Sequence, residues 1–190
     1  DSLIYNEYEL PKEIDEKIIS SKFIYNIKNN EKIDNKKLIS PLECFKILKN
    51  IGTCLEVDYK IKNIKTINCM YKENISIFKI NKYAKILTII GAKIALNNDG
   101  PVLISLPVYH FEVQFWNKNI NIQNVLGIQT VTIIGYNDHG FIIRNSWGKK
   151  WGIDGYCIYP YDDWNIIEES WVIINNNKKD NYQNIKNKLS

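Results

Sequence analysis

The stretch from Gln129 to Tyr156 constrains this chain more than any other. Two apolar, β-branched runs, Val131 to Tyr136 and Phe141 to Arg144, flank the turn formers Asn137, Asp138, His139 and Gly140. That pattern predicts a β-hairpin ending at Asn145. Trp147 and Trp151 follow, interleaved with Gly148, Gly152 and Gly155, so flexible backbone and large flat side chains meet just past a strand end. Loops held in place by such a scaffold are where chemistry often sits.

With 190 residues there is room for one domain, or for two small lobes sharing a cleft. The formal charge of +4 comes largely from solvated Lys/Asn stretches, among them Asn175 to Lys179 and Asn184 to Lys188. No Lys/Arg cluster alternates with aromatic or Gly-rich elements, so nucleic acid is not an expected partner. No apolar run approaches the ~20 residues that span a bilayer, and Asp1 to Asn6 lacks the basic and apolar regions of a signal peptide. The expectation is a soluble chain of unknown compartment. Cys44, Cys54, Cys69 and Cys157 form no C-x-x-C pair and have no His at zinc spacing, so neither a metal nor a cofactor is expected. They read as free thiols, with a Cys44–Cys54 or Cys54–Cys69 disulfide open if the protein is exported.

Along the chain, Ile14, Ile18 and Ile19 repeat at helical spacing after an extended start, and a second short helix is expected over Lys22 to Lys28. Asn29 to Lys37 reads as a loop. The clearest helix opens at Ser40, with Pro41 in the first turn and Glu43 completing a capping box; its apolar side is Leu42, Phe45, Leu48 and Ile51, and Gly52 ends it. Thr53 to Thr66 reads as irregular, and Ile75, Ile77 and Ile80 alternate as a strand. Thr88 is placed to cap a helix from Ile89 to about Leu96, stopped by Asn97 to Gly100. Pro101 to Val108, almost unbroken in apolar residues, reads as a buried strand. Helices first and strands second imply an α+β protein.

Asn145-Ser146-Trp147-Gly148, then Trp151-Gly152 and Gly155-Tyr156, resembles the asparagine signature of papain-like cysteine peptidases. Val131 to Tyr136 matches the strand that follows their catalytic histidine. Further out, Leu10 to Asp15 resembles the start of the mature enzymes, Phe23 to Asn26 and Ser40 to Cys54 resemble the helical lobe of bacterial-type members, and Gly100-Pro101-Val102 resembles the opening of the β lobe. The resemblance implies a papain-like two-lobe α+β fold over residues 1–175. The helical lobe (about 14–70) is reduced, the antiparallel, β-barrel-like lobe runs over about 71–175, and 176–190 is a polar Lys/Asn-rich tail.

In that family a thiolate at a helix N-terminus pairs with an imidazolium, an Asn amide orients the imidazole, and a Trp shields that hydrogen bond from water. The resemblance puts the orienting Asn at Asn145 and the shield at Trp147. The histidine would stand seven residues before Tyr136, where the chain has Gln129. Glutamine hydrogen-bonds but cannot exchange a proton near neutral pH. The segment that would carry the nucleophile, between Leu10-Pro11 and Phe23, is reduced to Glu16 to Lys22, and no residue before Cys44 is cysteine. Cys44, Cys54 and Cys157 read as packing residues. His139 falls in the hairpin turn, roughly 20 Å of strand from position 129. His110 reads as a surface residue at a strand end, and Trp116, Trp164 and Trp171 as packing aromatics.

The expected function is therefore a catalytically inactive peptidase homologue, its site vestigial at Gln129, Asn145 and Trp147, serving as a structural or protein-binding module. A protein or peptide partner, or a place in a larger assembly, follows from that. The alternative is an active cysteine endopeptidase whose nucleophile lies upstream or on another chain.

Overall fold

The computed structural model describes residues 18–30, 39–61, 75–118 and 124–174. The chain divides into two compact units, Asp1–Lys79 and Ile80–Ser190. The Leu10 to Asp15 motif, Cys69 and the Lys/Asn-rich tail lie outside the described residues.

Among its described residues the first unit carries three helices, α1 (Ser21–Asn30), α2 (Pro41–Asn50) and α3 (Glu56–Ile61). The α2 start follows from its sequence. The Ser40 hydroxyl accepts from the Glu43 N–H, and the Glu43 carboxylate accepts from the Ser40 N–H, which satisfies two backbone donors that a helix start leaves open. Gly52, at φ +92°, sends its N–H back to the Ile47 carbonyl and ends the helix. Phe23, Ile27, Cys54 and Ile75 form a small core, with Ile47, Ile51, Tyr59 and Ile77 packed on it.

Three expectations are corrected in this unit. Ile18 and Ile19 are extended rather than helical: Ile19 bridges Leu55, and the Ile18 carbonyl accepts from the Glu56 N–H. Long-range hydrogen bonding here overrides a local period. Thr53 to Thr66 contains α3, too short for periodicity to reveal. Ile75 and Ile77 keep their alternating burial, but pairing is limited to one Thr53–Phe78 bridge, and the strand forms later, at Lys82.

The described residues of the second unit form an antiparallel sheet and one α-helix. Its elements are β1 (Lys82–Lys85), α4 (Ile89–Asn98), β2 (Val102–Val108), β3 (Gly127–Tyr136), β4 (Gly140–Arg144), β5 (Tyr156–Pro160), a 3-10 turn (Tyr161–Ile166) and β6 (Glu169–Ile174). The strand order is β1-β6-β2-β3-β4-β5. Thr88 caps α4 by accepting from the Gly91 N–H at 3.0 Å. β2 is buried at every position but Leu103, as its unbroken apolar run requires. The hairpin forms as the sequence predicts. Asn137 Oδ1 accepts from the N–H groups of His139 (2.9 Å) and Gly140 (3.2 Å), closing the turn, and a bulge between Ile133 and Gly135 adjusts the register. Gly140 is obligatory, since a Cβ there would lie 2.2 Å from the Tyr159 carbonyl oxygen. The main core gathers Val102, Ile104, Leu106, Phe115, Trp116, Ile133, Phe141, Ile143 and Tyr159 around this sheet. Among the described residues no helix is long and apolar enough to cross a membrane.

Candidate functional site

β3 and β4 separate at a defined place. Pairing runs from Tyr136–Phe141 to Thr132–Arg144 and stops there, whereas β3 continues back to Gly127 paired, among the described residues, only with β2. Asn145, the residue after the last pair, turns away and donates its N–H to the Gly155 carbonyl at 2.9 Å. Its side chain then faces Gln129. Gln129 Nε2 donates to Asn145 Oδ1 at 2.9 Å and to Ser146 Oγ at 3.1 Å, with a longer contact of 3.4 Å to its neighbour's carbonyl, Thr130 O.

The direction of the central bond is dictated locally. The Ser146 N–H donates to Asn145 Oδ1 at 2.7 Å, which fixes the oxygen end of that amide toward Ser146 and Gln129. Whatever stands at position 129 must therefore present a donor. Asn145 is 6% exposed, and its Nδ2 has no partner among the described residues, so the site contains a buried amide NH₂ without an acceptor there.

Trp147 packs between Phe111 (centroids 5.5 Å), Phe115 (4.9 Å) and Trp151 (5.9 Å). Trp151 Nε1 donates to the Glu112 carbonyl at 3.2 Å, tying the Trp loop to residues 109–117. The loop itself needs left-handed backbone at Gly148, Gly152, Asp154 and Gly155. At Gly152 a Cβ would meet the Tyr156 carbonyl oxygen at 2.3 Å. The contribution of residues 109–117 was not foreseen from sequence, although four aromatics in eight positions, Tyr109, Phe111, Phe115 and Trp116, were a visible sign of packing. Ser146, which in the sequence is only one position of the Asn-Ser-Trp-Gly motif, bonds to both amides.

Neither histidine joins this cluster. His139 sits in the β3–β4 turn, at the opposite end of the hairpin. His110 Nδ1 accepts from the Glu112 N–H at 3.3 Å and makes no bond to Gln129 or Asn145. Cys44, Cys54 and Cys157 are free. Burial pushes each of these thiols above its ordinary value, Cys157 to about 12, which is opposite to what a nucleophile needs. Among the described residues no cluster of His, Cys, Asp or Glu could hold a metal ion. Trp116 is buried and donates to Asp163, Trp164 packs on Phe141 at 5.6 Å, and Trp171 stacks edge-on with Tyr83, so all three aromatics pack.

The family model for papain family cysteine proteases matches residues 39–174. An uncharacterised peptidase C1-like protein of Acanthamoeba polyphaga mimivirus is 42% identical over 53 residues, 25% of this chain and 17% of that protein. Mouse cathepsin J is 27% identical over 123 residues, 58% of this chain and 36% of that protein. Among solved structures, the cysteine protease xylellain from Xylella fastidiosa superposes with a TM-score of 0.64 at 24% identity, covering 82% of this chain and 69% of the other. The chain thus spans well under half the length of these two curated relatives.

Proposed function

The chain belongs to the papain family of cysteine proteases, and from that premise we propose that it is a catalytically inactive member that has kept its scaffold as a peptide- or protein-binding module. The observation that carries this is the Gln129–Asn145 bond of 2.9 Å. In the peptidase mechanism the asparagine carbonyl receives an N–H from the imidazole. Gln129 supplies that N–H as a neutral amide, so the hydrogen bond persists and the proton carrier is gone. Loss of one member of a nucleophile–base pair already removes most of the rate. The raised thiols of Cys44, Cys54 and Cys157 support the same reading, since none of the three is poised for attack.

A binding role has support in the sheet. From Gly127 to Val131, β3 is paired on its β2 side only, with no strand on the side facing away from β2 among the described residues. An unpaired strand edge is a template for an extended peptide, which adds main-chain hydrogen bonds there. We expect unfolded protein substrates to survive incubation with the protein, and we expect extended peptides to shift the backbone amide resonances of Gly127 to Val131. Cleavage of the substrates would overturn the inactive reading. The rival, an active endopeptidase whose nucleophile comes from elsewhere, draws its support from the chain spanning only 36% of cathepsin J; adding the missing segment in trans would then produce cleavage, whereas the inactive reading expects none.

A further inference from the structure

Two polar atoms at the Gln129–Ser146 contact are left unused. Gln129 spends its Nε2 protons on Asn145 Oδ1 and Ser146 Oγ, and its own Oε1 accepts no hydrogen bond from a described residue. Ser146 is exposed, and because its Oγ accepts from Gln129, its hydroxyl proton is available to a further acceptor. Nε2 and Oε1 of one amide lie roughly 2.2 Å apart by bond geometry. With Nε2 at 3.1 Å from Ser146 Oγ, the free acceptor and the free donor therefore sit within one small ligand group of each other. The pair is neutral, and it adjoins the unpaired edge of β3.

From this we infer that Gln129 Oε1 and the Ser146 hydroxyl form a subsite for a primary carboxamide, carried by a peptide as its C-terminal amide. This deepens the peptide-binding reading of the same site and rests on it. The chemistry selects the group. A primary carboxamide presents an N–H and a C=O along one edge, so its N–H reaches Gln129 Oε1 while its carbonyl accepts from Ser146. In a trans peptide those two groups point to opposite sides and cannot both engage. A carboxylate has no proton to offer Gln129 and leaves that oxygen facing negative charge.

Three probes separate these cases: acetylglycinamide, acetylglycine N-methylamide and acetylglycine, each titrated into the isotopically labelled protein. The expected result is saturable movement of the Gln129 side-chain NH₂ and Ser146 N–H resonances with the primary amide, at an affinity about tenfold above the other two. Ser146→Ala and Gln129→His, which keeps an N–H for Asn145 Oδ1 and removes Oε1, should each weaken it several-fold, in variants whose remaining spectrum is unchanged. Equal binding of all three probes, no binding of the primary amide at millimolar concentration, or indifference to both variants would overturn the subsite. If extended peptides still move Gly127 to Val131 whatever their C-terminal group, the subsite falls and the peptide-binding reading stands. If no peptide and no probe moves any of these signals, both fall.

Discussion

Asn145 is held from two directions, by the Ser146 N–H on one side and by Gln129 Nε2 on the other, and together these make position 129 a donor position. Gln129→Glu tests that directly. An ionised carboxylate there would face Asn145 Oδ1 without a proton, at a cost of about 1–3 kcal/mol near neutral pH. The introduced carboxyl would be held protonated, its folded pKa raised above the ordinary ~4.3, so the folded state binds the extra proton. The variant's stability relative to the parent should therefore be highest below that ordinary value and fall as pH rises through the raised folded value, as read by paired thermal melts across the acid range. Gln129→His keeps an N–H donor and should melt within a few degrees of the parent. A variant with Glu that is as stable as the parent at every pH would show that the donor requirement is wrong. At this scale the sequence was partly legible. Counting back from Tyr136 located Gln129, because a motif fixes spacing. The part played by Ser146 was not legible, since a single hydroxyl carries no periodic signal.

Elements with strong local chemistry formed where their sequences put them. In α2, the Ser40–Glu43 box is extended by an ion pair from Lys28 of α1, and the Lys28 bond, followed by the Ser40 N–H, holds the Glu43 carboxyl down to about 2 from an ordinary value of 4.5. A depressed carboxyl contributes stability that is fully present above its unfolded value and is lost as pH falls from about 4.5 toward about 2. The Glu43 side chain is 46% exposed, so the loss should be small, within about 1 kcal/mol. Glu43→Gln should flatten the acid limb of the stability curve between those values, and an unchanged limb would remove the pair from the account. Gly140→Ala should be far costlier, about 2–4 kcal/mol in chemical denaturation, because its methyl would meet the Tyr159 carbonyl. The β3–β4 hairpin and β2 were likewise legible, through turn chemistry and an unbroken apolar run. α3, β1 and the extended Ile18–Ile19 were not. They are short pieces whose state is set by distant partners, Leu55 and Glu56 for Ile18–Ile19 and β6 for β1.

For the molecule as a whole, fold and activity draw on different residues. The sheet, the aromatic wall around Trp147 and the glycine-dependent Trp loop are packing requirements, which need no proton transfer in order to form. Catalysis would need a lowered thiol beside a titrating base. Among the described residues neither occurs: Cys44, Cys54 and Cys157 are raised by burial, and His110 and His139 lie apart from Asn145. Family membership was therefore readable from the same motif that argues against activity. The direct measurement is the intact mass of the native protein after incubation with an epoxysuccinyl thiol probe, beside an unfolded control treated with a general alkylating reagent. The inactive reading predicts no mass increase in the native protein, with every cysteine modified once unfolded. Rapid addition of one probe to the native protein would contradict it, and the modified cysteine would identify the nucleophile.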